Sequence, residues 1–98
     1  MNMQNLMSQM QKMQKDIQKK QNEVEQMEFE GNSEWVKIIL NGKREVISVK
    51  IDYKDLQSDD LEMLEDMIKI AFSNALEKID SEYEKKLGAY SKYANGLM

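Results

Sequence analysis

The 98-residue chain has no cysteine, no histidine and no proline, and only four glycines and one tryptophan. Each absence closes a route. Without cysteine there can be no disulfide and no thiolate metal site, a usage that fits a reducing compartment. Without histidine, the commonest general base and the commonest metal ligand are both missing. Hydrolytic and metal-assisted mechanisms lose their usual parts, so no catalytic residue, cofactor site, metal site or small-molecule substrate is expected. Long apolar runs are missing too. A secretory signal needs roughly 7–15 consecutive apolar residues and a membrane span roughly 20, and glutamine, lysine or serine interrupts every attempt near the N-terminus. The expectation is a soluble cytoplasmic protein that does not enter a membrane.

What is present suits one domain over residues 1–98. An apolar share of 41% can fill a small core, and a charged share of 33% keeps the surface wet. The net charge of −4 gives no general attraction to polyanions, but its distribution is uneven. Residues 1–22 hold Lys12, Lys15, Lys19 and Lys20 against Asp16 alone, so this segment carries +3 and the remainder −7. Such asymmetry can mark an anion-facing arm. Arg44 is the sole arginine, which leaves little for bidentate readout of base edges.

The opening stretch "NLMSQMQKMQKDIQKKQNEVEQMEFEG" spaces its apolar residues as heptads. Met3, Met10, Ile17 and Val24 take the a positions, and Leu6, Met13 and Met27 take d, with Lys20 the single break. That is a helix over about 2–27 with a narrow seam for another helix, while Lys12, Lys15 and Lys19 point the other way. The period then switches to two. Strands are expected over about 28–31, 34–41 and 44–52, with Asn41-Gly42 as a tight hairpin turn. A two-residue turn would pair Val36 with Ile47, and a four-residue turn would shift the partners by two. Either register keeps Val36, Ile38, Ile47, Val49 and Ile51 on one face. The other face, with Trp35, Lys37, Ile39, Val46, Ser48 and Lys50, is too apolar to be fully wet. A second copy of the chain is therefore expected to cover part of it, making Trp35, Ile39 and Val46 candidate dimer contacts. A long helix follows over about 59–87, started by a capping box of Asp59 and Glu62 and striped by Leu61, Leu64, Ile68, Phe72, Ala75, Ile79, Tyr83 and Leu87. Residues 88–98 form a tail without pattern. The fold class is α+β: helix, small antiparallel sheet, long helix.

Four site readings compete for these residues. Met7, Met10 and Met13 sit three apart and could offer thioethers to a soft metal, but such sites commonly recruit histidine or cysteine, and methionine as adaptable packing explains them better. The carboxylates Asp59, Asp60, Glu62, Glu65 and Asp66 lack the alternating spacing and central glycine of a calcium loop. A surface-lying membrane helix would want an aromatic anchor, and the narrow heptad seam contains none. Lys12, Lys15 and Lys19, with Lys85, Lys86 and Lys92 near the other terminus, suit phosphate contacts, although any solvated helix carries such residues.

Taken together, the opening stretch, the hairpin "VKIILNGKREVISVKID" and the helix "DDLEMLEDMIKIAFSNALEKI" resemble the YbaB/EbfC family of bacterial nucleoid-associated proteins. The resemblance runs over about residues 4–87, and "LEDMIKIAFSNA", Leu64 to Ala75, is its most specific piece. It implies a helix–sheet–helix subunit, a tweezer-like homodimer, and DNA binding in the cytoplasm and nucleoid, with consequences for chromosome organisation and gene expression. It implies neither catalysis nor a cofactor. The positions matching the family's suggested DNA contacts are Lys12, Lys15, Lys19 and Lys20, followed by Lys85 and Lys86. Family members often have a longer basic leader and a longer tail, and a smaller residue than Trp35, so less flexible material is expected to touch DNA here. A non-catalytic assembly dimer that recruits a protein through the Met/Gln-rich helix is the alternative.

Overall fold

A computed structural model describes residues 3–90. Helix α1 covers Met3–Glu25, strands β1, β2 and β3 cover Glu28–Ser33, Val36–Asn41 and Val46–Ile51, and helix α2 covers Leu61–Leu87. Short 3-10 turns, Ser58–Asp60 and Gly88–Tyr90, flank α2. The sheet is antiparallel in the order β1-β2-β3, so the expected α+β architecture is the one observed. Lys92 and the rest of the tail beyond Tyr90 lie outside the described residues.

The core forms where α2 crosses β1 and β2. Phe29 pairs with Leu40, Gly31 with Ile38 and Ser33 with Val36, so one face of the two strands offers Phe29, Val36, Ile38 and Leu40, all buried. Leu64, Met67, Ala71, Ala75 and Ile79 press onto it from α2. The buried line is rotated from the expected stripe: Leu61 is exposed and Ile68, Phe72 and Tyr83 are half-buried, while Met67 and Ala71 face the sheet. The reason is close approach. A Cβ at Gly31 would overlap the Ala71 carbonyl and lie 2.8 Å from the Ala75 nitrogen, so the helix face seated on it must be small.

The hairpin corrects the expected register. Asn41 N–H donates to the Glu45 carbonyl and Arg44 N–H to the Asn41 carbonyl, both at 3.0 Å. This is a three-residue loop whose last residue, Arg44, is left-handed at φ 66. A bulge between Ile39 and Leu40 adds one more residue on β3. Val36 therefore pairs with Ile51 and Ile38 with Val49. The turn shifts the partners by three and the bulge by a fourth, so the even offset keeps Val36, Ile38, Val49 and Ile51 on one face. Ile47, expected with them, is left without a partner at the bulge. Val46, expected beside Trp35 and Ile39, is instead opposite Leu40. Gly42 is there for space rather than for a positive φ: a Cβ would overlap the Val24 carbonyl and lie 2.7 Å from Glu25 Cα. Gly42 N–H donates to the Glu25 carbonyl at 3.2 Å, seating the end of α1 on the loop.

The start of α2 is also displaced from expectation. Asp60, not Glu62, supplies the reciprocal carboxylate, accepting from Gln57 N–H at 3.0 Å, because the chain enters through a 3-10 turn one step earlier. Helix α1 departs more. Val24 alone is buried, Met13 and Ile17 are half-buried, and Met3, Leu6, Met7 and Met10 are exposed. Only the C-terminal half of its seam meets α2. The rest extends away from the sheet, giving a particle 70 × 21 × 16 Å.

Candidate nucleic-acid interface

The projecting helix carries the basic residues. At 100° per residue, Lys12, Lys15 and Lys19 share one face with Ser8, Gln11, Gln18, Asn22 and Gln26, opposite Met13, Ile17 and Val24. Every residue of that face is exposed, and it contains no carboxylate. A shallow groove there is lined by Lys15, Gln18, Lys19, Asn22, Glu23 and Gln26. Lysine ammoniums and side-chain amides in a row along an exposed helix are donors that can follow a phosphate chain, with the Glu23 carboxylate at the rim of the groove.

Glu25 borders this face beside Gln18, and the two acids on its other border are engaged from the far side. Asp16 lies 3.3 Å from Lys20 Nζ and accepts from the Tyr90 hydroxyl. That hydroxyl, and then Lys20, hold the Asp16 carboxyl below the ordinary carboxylate range. Reciprocally, Asp16 raises the Tyr90 phenol and the Lys20 ammonium. Lys20 also sits 5.3 Å from the centre of the Tyr90 ring. Glu23 pairs with Lys86 at 3.9 Å. Lys20 and Lys86 are thus partly neutralised locally, whereas Lys12, Lys15, Lys19 and Lys85 are exposed. The i, i+4 spacing of Asp16 and Lys20 is legible in the sequence. The role of Tyr90 is not, since 74 residues separate it from Asp16.

Where α1 and the end of α2 diverge, a cleft of about 540 Å³ opens among Ile17, Gln21, Arg44, Asp80, Tyr83, Leu87 and Tyr90. Arg44, Asp80 and Tyr83 in it are already partnered. Arg44 donates to Asp80 at 2.5 Å and lies over the Tyr83 ring, and the Tyr83 hydroxyl donates to the Gly42 carbonyl at 2.8 Å. Burial raises the Tyr83 phenol. This cluster braces the hairpin against α2.

The three candidate dimer residues do not form one patch. Trp35 is half-buried in the Glu34–Trp35 turn, with its ring centre 3.9 Å from that of Tyr53. Ile39 is half-buried among polar neighbours of the outer face, where Lys37 pairs with Glu30 at 3.6 Å. Val46 is 52% exposed. More apolar surface lies elsewhere. All six residues of β3 are exposed, including Ile47, Val49 and Ile51, because α2 covers β1 and β2 and stops short of β3.

Among the described residues no helix is long and apolar enough to cross a membrane, and no group of three or more metal-ligating side chains could hold an ion. The fold and its exposed basic rod define a helix–sheet–helix protein whose distinctive surface is cationic and elongated rather than concave. Residues 1–94 match the YbaB/EbfC DNA-binding family. Proteins of Streptococcus pneumoniae strains Hungary19A-6, CGSP14 and TIGR4, each named nucleoid-associated protein, are 42% identical over 93 residues, covering 93% of this chain and 94% of theirs. The chain belongs to the YbaB/EbfC DNA-binding family, which is not an enzyme family.

Proposed function

We propose that the protein binds duplex DNA in the bacterial nucleoid as a homodimer. Lys12, Lys15 and Lys19 of each α1 would touch phosphates, flanked by Lys20, Lys85 and Lys86, with effects on chromosome organisation and gene expression. The observation that carries this reading is the exposed, carboxylate-free face of α1, with Asp16 and Glu23 on its border both paired. Dimerisation is supported by the apolar residues left uncovered on β3. Two copies double the lysines available to one duplex. Binding is then mainly electrostatic. Four to six phosphates neutralised per dimer give a log–log salt slope of roughly −4 to −5.

Gel-shift titrations at two or more salt concentrations test this. Affinity should fall along that slope and collapse in a Lys12→Glu, Lys15→Glu, Lys19→Glu variant. Binding insensitive to salt, or undetectable at low salt, would overturn the proposal. A second reading draws on the exposure of Met3, Leu6, Met7 and Met10: a protein partner docking on that side of α1. Under it, the triple glutamate variant keeps its DNA binding, and changing Leu6 and Met10 to serine removes the partner.

A further inference from the structure

The two edges of the sheet are treated differently. On β1, the Glu30 carbonyl and the Asn32 amide are two residues apart and both point away from β2. A strand's outward groups are the template on which another strand pairs. Here α2 occupies them. Asn32 N–H donates to Asn74 Oδ1 at 3.2 Å, and Lys78 Nζ donates to the Glu30 carbonyl at 2.6 Å. The close seat of α2 on Gly31, between those two residues, is what brings Asn74 and Lys78 over the rim. Any strand approaching β1 would have to displace both side chains and strip water from the Lys78 ammonium.

At the other edge, β3 is exposed throughout, and Val46, Ile47, Val49 and Ile51 are between 43% and 52% exposed. We infer that Asn74 and Lys78 close the β1 edge, so that a second copy of the chain can join only along β3 and assembly stops at two. This rests on the homodimer proposed above. A two-fold pairing centred on Val49 would set Lys50 against Ser48 of the second copy and Ile51 against Ile47, keeping like charges apart and matching apolar side chains. With the β1 edge open as well, dimers joined along β3 could pair again along β1 and grow into chains of sheets.

Sedimentation velocity of the full chain, from low to high micromolar concentration, tests the inference. The parent protein should run as two copies. Asn74→Ala with Lys78→Ala should populate species of four copies and more as concentration rises, while Asn74→Asp with Lys78→Arg, which keeps an acceptor and a donor in place, should stay at two. Lys78→Ala alone, a helix-compatible change at an exposed position, covers the case in which the double variant fails to fold, and should shift the mass in the same direction. A folded double-alanine variant that remains at two copies throughout would overturn the edge closure. A separate arm reads the dimer itself: Val49→Lys should fall to one copy with unchanged circular dichroism. A parent protein that is already monomeric, or a Val49→Lys variant that stays paired, would sink the β3 interface whatever the β1 variants do.

Discussion

Ile79 and Leu6 are both aliphatic residues spaced for a helical seam, yet Ile79 is fully buried and Leu6 is half exposed. The contrast holds for whole regions. In the body, α2 rests on β1 closely enough to require a glycine, and its seam is buried along most of its length. In the projecting half of α1, the same spacing meets nothing within the subunit. Apolar period specifies which side of a helix seeks cover; it does not say that the same subunit supplies it. The body gives the fold its stability, and the rod leaves its apolar seam uncovered within the subunit.

The largest expected effect tests that division directly. Ile79→Ala should destabilise by about 3 kcal/mol through lost burial and a residual cavity. Leu6→Ala, at an exposed site, should stay within about 0.5 kcal/mol. Chemical denaturation of both variants checks this, and equal losses would mean that α1 is part of the body. Gly31→Ala comes next. Backbone faces backbone there, so α2 must lift, and a loss of about 2 kcal/mol is expected from overpacking. Thermal unfolding should register it as a fall of roughly 8–16 °C, at about 4–8 °C per kcal/mol for a domain of this size.

Arg44 sharpens the comparison at the joint between the two regions. Its φ of 66 disfavours any side chain, so Arg44→Gly should be about 1 kcal/mol more stable than Arg44→Ala in urea titrations, both having lost the bond to Asp80. The smallest effect concerns the clip between α1 and the end of α2. The Asp16 carboxyl is lowered in the folded chain, so its contribution is present above the ordinary carboxylate range and lost as pH falls through the lowered value. The Tyr90 phenol is raised, so its contribution is present below the ordinary phenol range and lost as pH rises through the raised value. The clip should therefore hold throughout the neutral range and open at both extremes. NMR titration of Asp16 should show its pKa moving up in Tyr90→Phe; an unchanged value would remove Tyr90 from the clip.

Much of the body could be read from the chain itself. The order of elements, the two-residue alternation of β2 and β3 and the long stripe of α2 all follow from period, and the face shared by Val36, Ile38, Val49 and Ile51 survived because turn and bulge together shift by an even number. Other features were hidden because they depend on groups far apart in sequence. Gly31 is unremarkable until α2 lies on it, and only then does the buried line move to Met67 and Ala71. Asn41-Gly42 points to a hairpin turn of two or four residues, but the loop has three, its glycine makes room for α1, and the left-handed residue is Arg44. At the candidate interface, the charge and spacing of Lys12, Lys15 and Lys19 were visible. The spacing of Asp16 and Lys20 was visible too, but the Tyr90 that closes on them and the Glu23 that pairs with Lys86 were not, since they meet only in the folded chain.

The contact at Gly42 also sets a mechanical scale. The end of α1 bears directly on that loop, with the Val24 carbonyl where a side chain would otherwise stand, and the helix then runs for 23 residues, about 35 Å at 1.5 Å per residue. Tyr90 and Lys86 hold the first part of that run at Asp16 and Glu23, which leaves about 20 Å of helix beyond the clip at 1.5 Å per residue. A swing of about 10° over that length carries the tip roughly 3 Å. In the homodimer proposed above, a methyl group at Gly42 would push against the Val24 carbonyl and change the angle at which each arm leaves its sheet, and with it the width of duplex the pair could straddle.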